Sequence, residues 1–403
     1  MPDKNAAPRI GARELLSLFS IERAPIELDK KGERYMSLKI MHTGDVHLGK
    51  KFSNYPGISE KLEKARYQAL ENVVREANSR ECNILAVAGD LFDKPNMPEV
   101  NIIETVNILS RFSGDVVLVL PGNHDYDRID IWRQFKEHLT GKILLLEEKE
   151  RYDLRGFDLA AAVYPAPCDD KHSAENTLGW INSSRKKEGI KYEIGMAHGA
   201  LDGVSPDMTD DYFKMNQAEL RSLEMDVWLL GHTHMPYPDR AELTGQRILN
   251  SGTPEPDGMN CSHAGYAWYI EIDEKKNITA KQVKTGSYLF LDETYRINSE
   301  EDFENLVETI SAENPAEKVV RLKLSGRIEE ELYSRKNEYY REIRERTAYA
   351  RIIDADLNLK ITSDKIAEEF TPGSLPYEVL HDLMDDEEAL QLAYEFIQEV
   401  KQT

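Results

Sequence analysis

Short apolar runs alternate with longer amphipathic stretches over the first two thirds of the chain, and the two periods separate strand from helix. Leu38-Lys39-Ile40-Met41, Asn83–Ala88 and Asp115–Leu120 are brief, nearly unbroken apolar runs, as expected of strands buried on both faces. Between the first two, Leu62, Ala65, Ala69, Leu70, Val73, Val74 and Ala77 recur at helical spacing, which predicts a helix over 59–79. A second helix is expected over Pro98–Arg111, and further strands at Tyr192–Ala197, Asp226–Leu230, Arg247–Asn250 and Ala267–Ile272. The last of these runs into the turn-forming sequence Asp273-Glu274-Lys275-Lys276-Asn277. Strands alternating with helices in this way point to a layered α/β domain.

Beyond Leu291 the texture changes. A helix near Ser299–Ile310, a strand at Val319–Leu324, a charged helix at about Glu329–Tyr349 and a strand at Ile352–Leu359 predict a small α+β domain. A helical segment closes the chain, with a terminal helix from about Asp385 to Lys401. The expected divisions are a leader over 1–35 to which no function is assigned, an α/β domain over 36–286, the α+β domain over 287–360 and the helical segment over 361–403. Apolar runs such as Val116–Leu120 fall far short of the roughly 20 residues a spanning helix needs, so no membrane partner is expected. The opening 30 residues lack an apolar signal core, and Cys82, Cys168 and Cys261 have no metal-site or disulfide spacing. A cytoplasmic protein is the resulting expectation.

Charge narrows the partners. The chain carries 51 basic and 73 acidic side chains, a net of −22, and from Ser287 onward 14 basic side chains face 28 acidic ones. A protein that grips nucleic acid by bulk electrostatics needs the opposite sign. Arg335, Lys336, Arg341, Arg344, Arg346 and Arg351 form a basic cluster at the charged helix, interleaved with Glu338, Glu342 and Glu345, so mutual ion pairing is expected there before any contact with DNA.

The chemistry sits at the strand ends. The first strand leads to Asp45-Val46-His47, the second to Gly89-Asp90-Leu91-Phe92-Asp93 and the third to Gly122-Asn123-His124-Asp125. Two later strands end at His198-Gly199 and Gly231-His232-Thr233-His234. Ligands in open α/β sheets bind beyond the carboxyl ends of strands, so the five loops are expected to converge. In an extended backbone residues i and i+2 point the same way, so Asp45/His47 and His232/His234 could each give two donors to one centre. Asp45, His47, Asp90, Asn123, His198, His232 and His234 make a mixed oxygen and imidazole set suited to Mn, Fe or Zn. Seven donors exceed the needs of one ion. Two ions about 3.5–4 Å apart sharing a carboxylate fit better, and such a pair can hold and polarise a phosphoryl group.

These motifs resemble the signature of the calcineurin-like metallophosphoesterases. Their flanks, His42–Lys50 and Gly89–Asp93 followed by Pro95 and Pro98, resemble SbcD-type nuclease subunits of double-strand-break repair and the YhaO-type proteins. The resemblance implies a two-layered β-sandwich flanked by helices, followed by a small capping domain. It implies two divalent ions, Mn²⁺ in preference to Fe²⁺, Zn²⁺ or Mg²⁺. Asp45, His47 and His234 would hold one ion, Asn123, His198 and His232 the other, and Asp90 would bridge them. His124 would act on the leaving oxygen, with Asp125 orienting its imidazole. The implied activity is hydrolysis of phosphodiester bonds in DNA, as exonuclease or endonuclease, with an SbcC-type ATPase as partner and a homodimer as the assembly. The apolar stripe of the terminal helices is expected to pack on its own domain, while the resemblance implies docking on that partner as the alternative. A small-molecule phosphodiesterase and a metal-ordered scaffold without hydrolysis are the alternative readings.

Overall fold

The computed structural model describes residues 37–402 apart from 95, 127–129, 140, 182–188 and 206–210. The 1–35 leader lies outside the described residues. The chain forms two compact units that divide at Phe290/Leu291.

The first unit opens with β1 (Ser37–Thr43), α1 (Ser59–Ser79), β2 (Ile84–Ala88), α2 (Glu99–Ser110), β3 (Val116–Leu120), α3 (Asp130–Glu137) and β4 (Ile143–Leu145). It continues through β5 (Tyr152–Asp153), β6 (Ala161–Ala166), β7 (Tyr192–His198), α4 (Gln217–Ser222) and β8 (Val227–Gly231). The strands β9 (Glu242–Thr244), β10 (Ile248–Asn250), β11 (Tyr266–Asp273) and β12 (Ile278–Lys284) complete it. Seven strands form one sheet in the order β4-β3-β2-β1-β11-β12-β9, and five form a second, β10-β8-β7-β6-β5. In the first sheet β1 to β4 run parallel, with Ile40 opposite Ile84 and Ile84 opposite Val116, while β11 joins β1 antiparallel. In the second, β6, β7, β8 and β10 run parallel, with His198 opposite Gly231.

The layering follows from side-chain alternation. Leu38 and Ile40 of β1, Ile84, Ala86 and Ala88 of β2 and Val116, Leu118 and Leu120 of β3 share one core with Ile194 and Met196 of β7 and Val227 and Leu229 of β8. That core fills the space between the sheets. The intervening residues, Met41, Leu85, Val87, Val117 and Val119, turn to the other face and meet Leu70, Val73 and Val74 of α1 and Ile102 and Val106 of α2. Period two puts each strand in two cores at once, which is why these strands read as unbroken apolar runs. The result is a β-sandwich flanked by helices, the mixed α/β architecture expected from the sequence.

The second unit holds β13 (Leu289–Arg296), α5 (Glu300–Ser311), β14 (Lys318–Ile328), α6 (Glu330–Arg346) and β15 (Tyr349–Leu359), the three strands ordered β13-β14-β15. The strands β14 and β15 are parallel and joined through α6, so this is a βαβ crossover on a small sheet. The interleaved charges of α6 pair as their spacing predicts: Arg346 meets Glu342 four residues away, and Arg335 meets Glu338 and Glu300 of α5. Three helices follow, α7 (Ser363–Glu369), α8 (Leu375–Asp382) and α9 (Glu387–Gln402), around a core of Ile366, Phe370, Leu380 and Leu390. No helix among the described residues is long and apolar enough to cross a membrane.

Candidate metal centre

The loops that leave β1, β2 and β3 from one sheet and β7 and β8 from the other bring their polar residues to one end of the sandwich. They do not do so as extended segments. Asp45, His47, Asp90 and His232 have φ of 51°, 46°, 49° and 102°. This left-handed backbone is rare outside glycine and costs about 1–3 kcal/mol at each residue unless the surroundings hold it. The expectation that i and i+2 converge through an extended Asp45-x-His47 is therefore corrected: tight turns aim these side chains. Backbone bonds hold the turns, with Asp45 N–H donating to Gly89 O and His47 N–H to Asp90 O at 3.1 and 2.9 Å. Gly89 is required beside them, because its φ of 87° is accompanied by a position where any Cβ would strike His198 Nδ1.

Asp45, His47 and His234 place one donor atom each within 4.8 Å of one another, and so do Asp45, Asp90 and His198. The two groups share Asp45, and Asp90 lies between their imidazoles, its Oδ2 3.4 Å from His47 Nε2 and 3.4 Å from His198 Nε2. His47 Nε2 also faces His234 Nε2 at 3.2 Å. Asn123 Oδ1 lies 3.0 Å from His198 Nε2 and 3.2 Å from His232 Nδ1, which brings the remaining two expected donors to the same end. All seven are thus assembled, with Asp45, His47, Asp90, Asn123 and His198 buried.

The surroundings of the donors set their protonation. Burial pushes Asp45 up to about 6, with Asp90 adding to the rise against the nearby imidazoles. Burial also acts to raise Asp90, but the imidazoles of His198 and His47 outweigh it and hold the carboxyl below its usual range. Burial lowers His47 to about 4, against the pull of Asp93 and Asp90. For His198 burial is overcome by Asp90, and the imidazole rises to about 9. A buried pair of carboxylates ringed by imidazole nitrogens, two of which face each other nearly in contact, is a donor set that a divalent cation satisfies. The residues therefore fit a metal pair.

Two orienting contacts differ from expectation. Asp125 does not face the His124 imidazole: its oxygens accept from Gly122 N–H and Phe92 N–H at 2.7 and 2.9 Å, so it ties the second strand-end loop to the third. Burial pushes it up to about 7, with Asp90 adding to the rise. The partner of His124 is instead the Asp93 carbonyl, 3.1 Å from Nδ1, and its backbone N–H donates to Asp90 Oδ1 at 2.9 Å. Since a carbonyl can only accept, Nδ1 carries the hydrogen and Nε2 is left to act. His124 also forms a third group of nearby donors with His47 and Asp93, so its position is compatible with ligation as well as with proton transfer.

Residues 38–236 match the family described as calcineurin-like phosphoesterase. The chain carries a calcineurin-like metallophosphoesterase domain. Over 104 residues it is 33% identical to the DNA double-strand break repair protein Mre11 of Methanosarcina acetivorans, covering 25% of this chain and 16% of that protein. Over 205 residues it is 24% identical to the uncharacterized metallophosphoesterase YhaO of Bacillus subtilis, covering 49% and 48%. Over 241 residues it is 22% identical to Mre11 of Methanopyrus kandleri, covering 54% of this chain and 49% of that one. The aligned parts thus span less than half of these relatives' own lengths.

Two residues at the metallophosphoesterase site lie outside the expected set. Asp257 accepts from His234 Nδ1 at 3.0 Å and pairs with Lys50. Burial alone would raise Asp257, yet His234 holds it well below the usual carboxylate range. Neither was singled out as a site residue from the sequence: Asp257 stands in a proline-bearing loop two residues after Glu255, and Lys50 enters only as the last residue of the His42–Lys50 flank.

Proposed function

We propose that this chain is a two-metal phosphodiesterase acting on DNA, the nuclease subunit of a double-strand-break repair complex that works with an SbcC-type ATPase. The observation that carries the two-metal part is the placement of the Asp90 carboxylate between His47 and His198, as a bridge between two donor groups requires. The substrate part is supported by the name shared by the Mre11 relatives. Asp45, His47 and His234 would hold one ion, Asn123, His198 and His232 the other, with Mn²⁺ preferred. Bound ions of this kind supply a nucleophile at neutral pH and neutralise charge on the phosphoryl group.

The chain's own residues do the rest. His198 Nδ1 donates to the Ala88 carbonyl at 2.9 Å, which turns Nε2 toward the centre. His124 is held by the Asp93 carbonyl and by Asp90, with Nε2 free to hold a proton for the departing 3′-oxygen. The net charge of −22 leaves little general attraction for DNA, so the partner ATPase supplies much of the grip. Residues 287–360 would then act as the cap that shapes access, and the helical segment over 361–403 as the surface offered to the partner.

The test is Mn²⁺-dependent degradation of an end-labelled linear duplex, with Asp90→Asn as control and a chromogenic phosphodiester in parallel. Loss of both substrates with wild type and of neither with the variant is the expected outcome. If the duplex stays intact even with the ATPase added while the chromogenic diester is cleaved, the substrate is a small phosphodiester instead.

A further inference from the structure

We infer that Asp257 is a positioning residue for the metal centre, setting the tautomer and ring orientation of His234 from outside the donor set. This rests on the two-metal reading above. The carboxylate lies on the far side of the His234 ring from the other donors: Nδ1 meets Asp257 Oδ2 at 3.0 Å, while Nε2 faces His47 Nε2 at 3.2 Å and Asp45 Oδ1 at 4.0 Å. A carboxylate accepts and does not donate, so the hydrogen sits on Nδ1 and the lone pair of Nε2 points inward. The same oxygen takes the ammonium of Lys50, which holds the carboxylate in place.

The loop that carries Asp257 is tied to the floor of the site. Thr253 Oγ1 donates to the Asp45 carbonyl at 2.9 Å, and the guanidinium of Arg66 reaches both that carbonyl, at 3.0 Å, and the carbonyl of Glu255, at 3.2 Å. Pro256 fixes φ immediately before Asp257. Asp257 and Asp45 are thereby set relative to each other, and with them His234 and the ligand it faces. The other group uses a neutral acceptor for the same purpose, the Ala88 carbonyl behind His198.

The experiment is Mn²⁺ titration of the chelator-stripped full chain by calorimetry, for wild type, Asp257→Ala and Asp257→Asn, with thermal melts to confirm folding. Wild type is expected to bind two ions. Asp257→Ala should bind one as wild type does and the other about 10–100-fold more weakly, and Asp257→Asn should fall between. Hydrolysis lost by the variants at limiting Mn²⁺ should return at high Mn²⁺, which loss of structure would not allow. A folded Asp257→Ala binding both ions with wild-type affinity overturns the assignment. Should that variant not fold, the isosteric Asp257→Asn decides, and unchanged affinity there overturns it equally. A wild-type chain that binds no ion sinks the two-metal reading itself.

Discussion

Asp90 presents one oxygen to imidazoles from both sides of the centre and the other to the His124 backbone N–H. An amide in its place keeps the shape but gives up the negative charge on which both donor groups depend. Asp90→Asn should therefore lower bound Mn²⁺ by at least one ion per chain, measured by elemental analysis. Its activity loss should exceed the roughly 10–100-fold typical of an outer orienting partner. His124→Ala separates metal binding from chemistry. As a proton donor held by the Asp93 carbonyl, its removal should leave both ions bound and lower turnover by about 10²–10⁴-fold. Depleted metal in that variant would instead assign His124 to the donor group it forms with His47 and Asp93.

The element that matters most to the centre without entering it is α1. Its apolar face packs on β1 and β2 and buries Arg66, whose guanidinium donates to the carbonyls of Asp45, Val46 and Glu255 and to Thr253 Oγ1. The cation thus ties the first strand-end turn to the 253–257 loop and helps hold Asp45 and His47 in left-handed backbone. Arg66→Ala takes the guanidinium from the Val46 carbonyl and leaves the Asp45 and Glu255 carbonyls to share the one hydroxyl of Thr253, and a loss of about 3–5 kcal/mol in chemical denaturation is expected, with a fall in Mn²⁺ affinity. Arg66→Met, which keeps the packing, should recover little of either. Nothing in the sequence marks Arg66, because a lone Arg on a helix face reads as surface. The helix itself was legible, since seven apolar residues at helical spacing leave no other reading. β1, β2, β3, β7 and β8 were legible too, because burial on both faces makes an unbroken apolar run. β6 was not, being built of small residues with Pro165 inside it, and neither were the three-residue strands β4 and β9. The seven candidate donors stood out because each follows such a strand, and the structure brings them to one end of the sandwich. The orientation of Asp125 was not, because an adjacent carboxylate can turn either to a side chain or to the backbone, and only the packed loops decide.

At the scale of the whole molecule, the metal centre couples stability to pH. His198, raised to about 9 by Asp90 against the effect of burial, retains in the metal-free fold a proton that an unfolded chain gives up near 6.5. That proton stabilises the fold fully below about 6.5 and the contribution is lost as pH rises through 9. The acids raised by burial, Asp125 and Glu255, lose theirs by about 7, adding to the fall at the start of this window. His42 and His47, lowered by burial to about 3 and 4, act the other way, but only below 6.5. Between pH 6.5 and 9 the chelated protein should accordingly melt at steadily lower temperature. An ion held by His198 would take the place of that proton and remove the dependence. At a free metal concentration 100 times its dissociation constant, one ion adds about 2.7 kcal/mol. For a domain of this size that is a rise of about 5–10 °C. The difference in melting temperature between Mn²⁺-loaded and chelated protein should therefore widen from pH 6.5 to 9. Because every donor lies between Asp45 and His234, the shift belongs to the first unit, and a transition assigned to residues beyond Leu291 should stay where it is. A gap constant across that pH range would mean that the proton on His198 is not what the ion replaces.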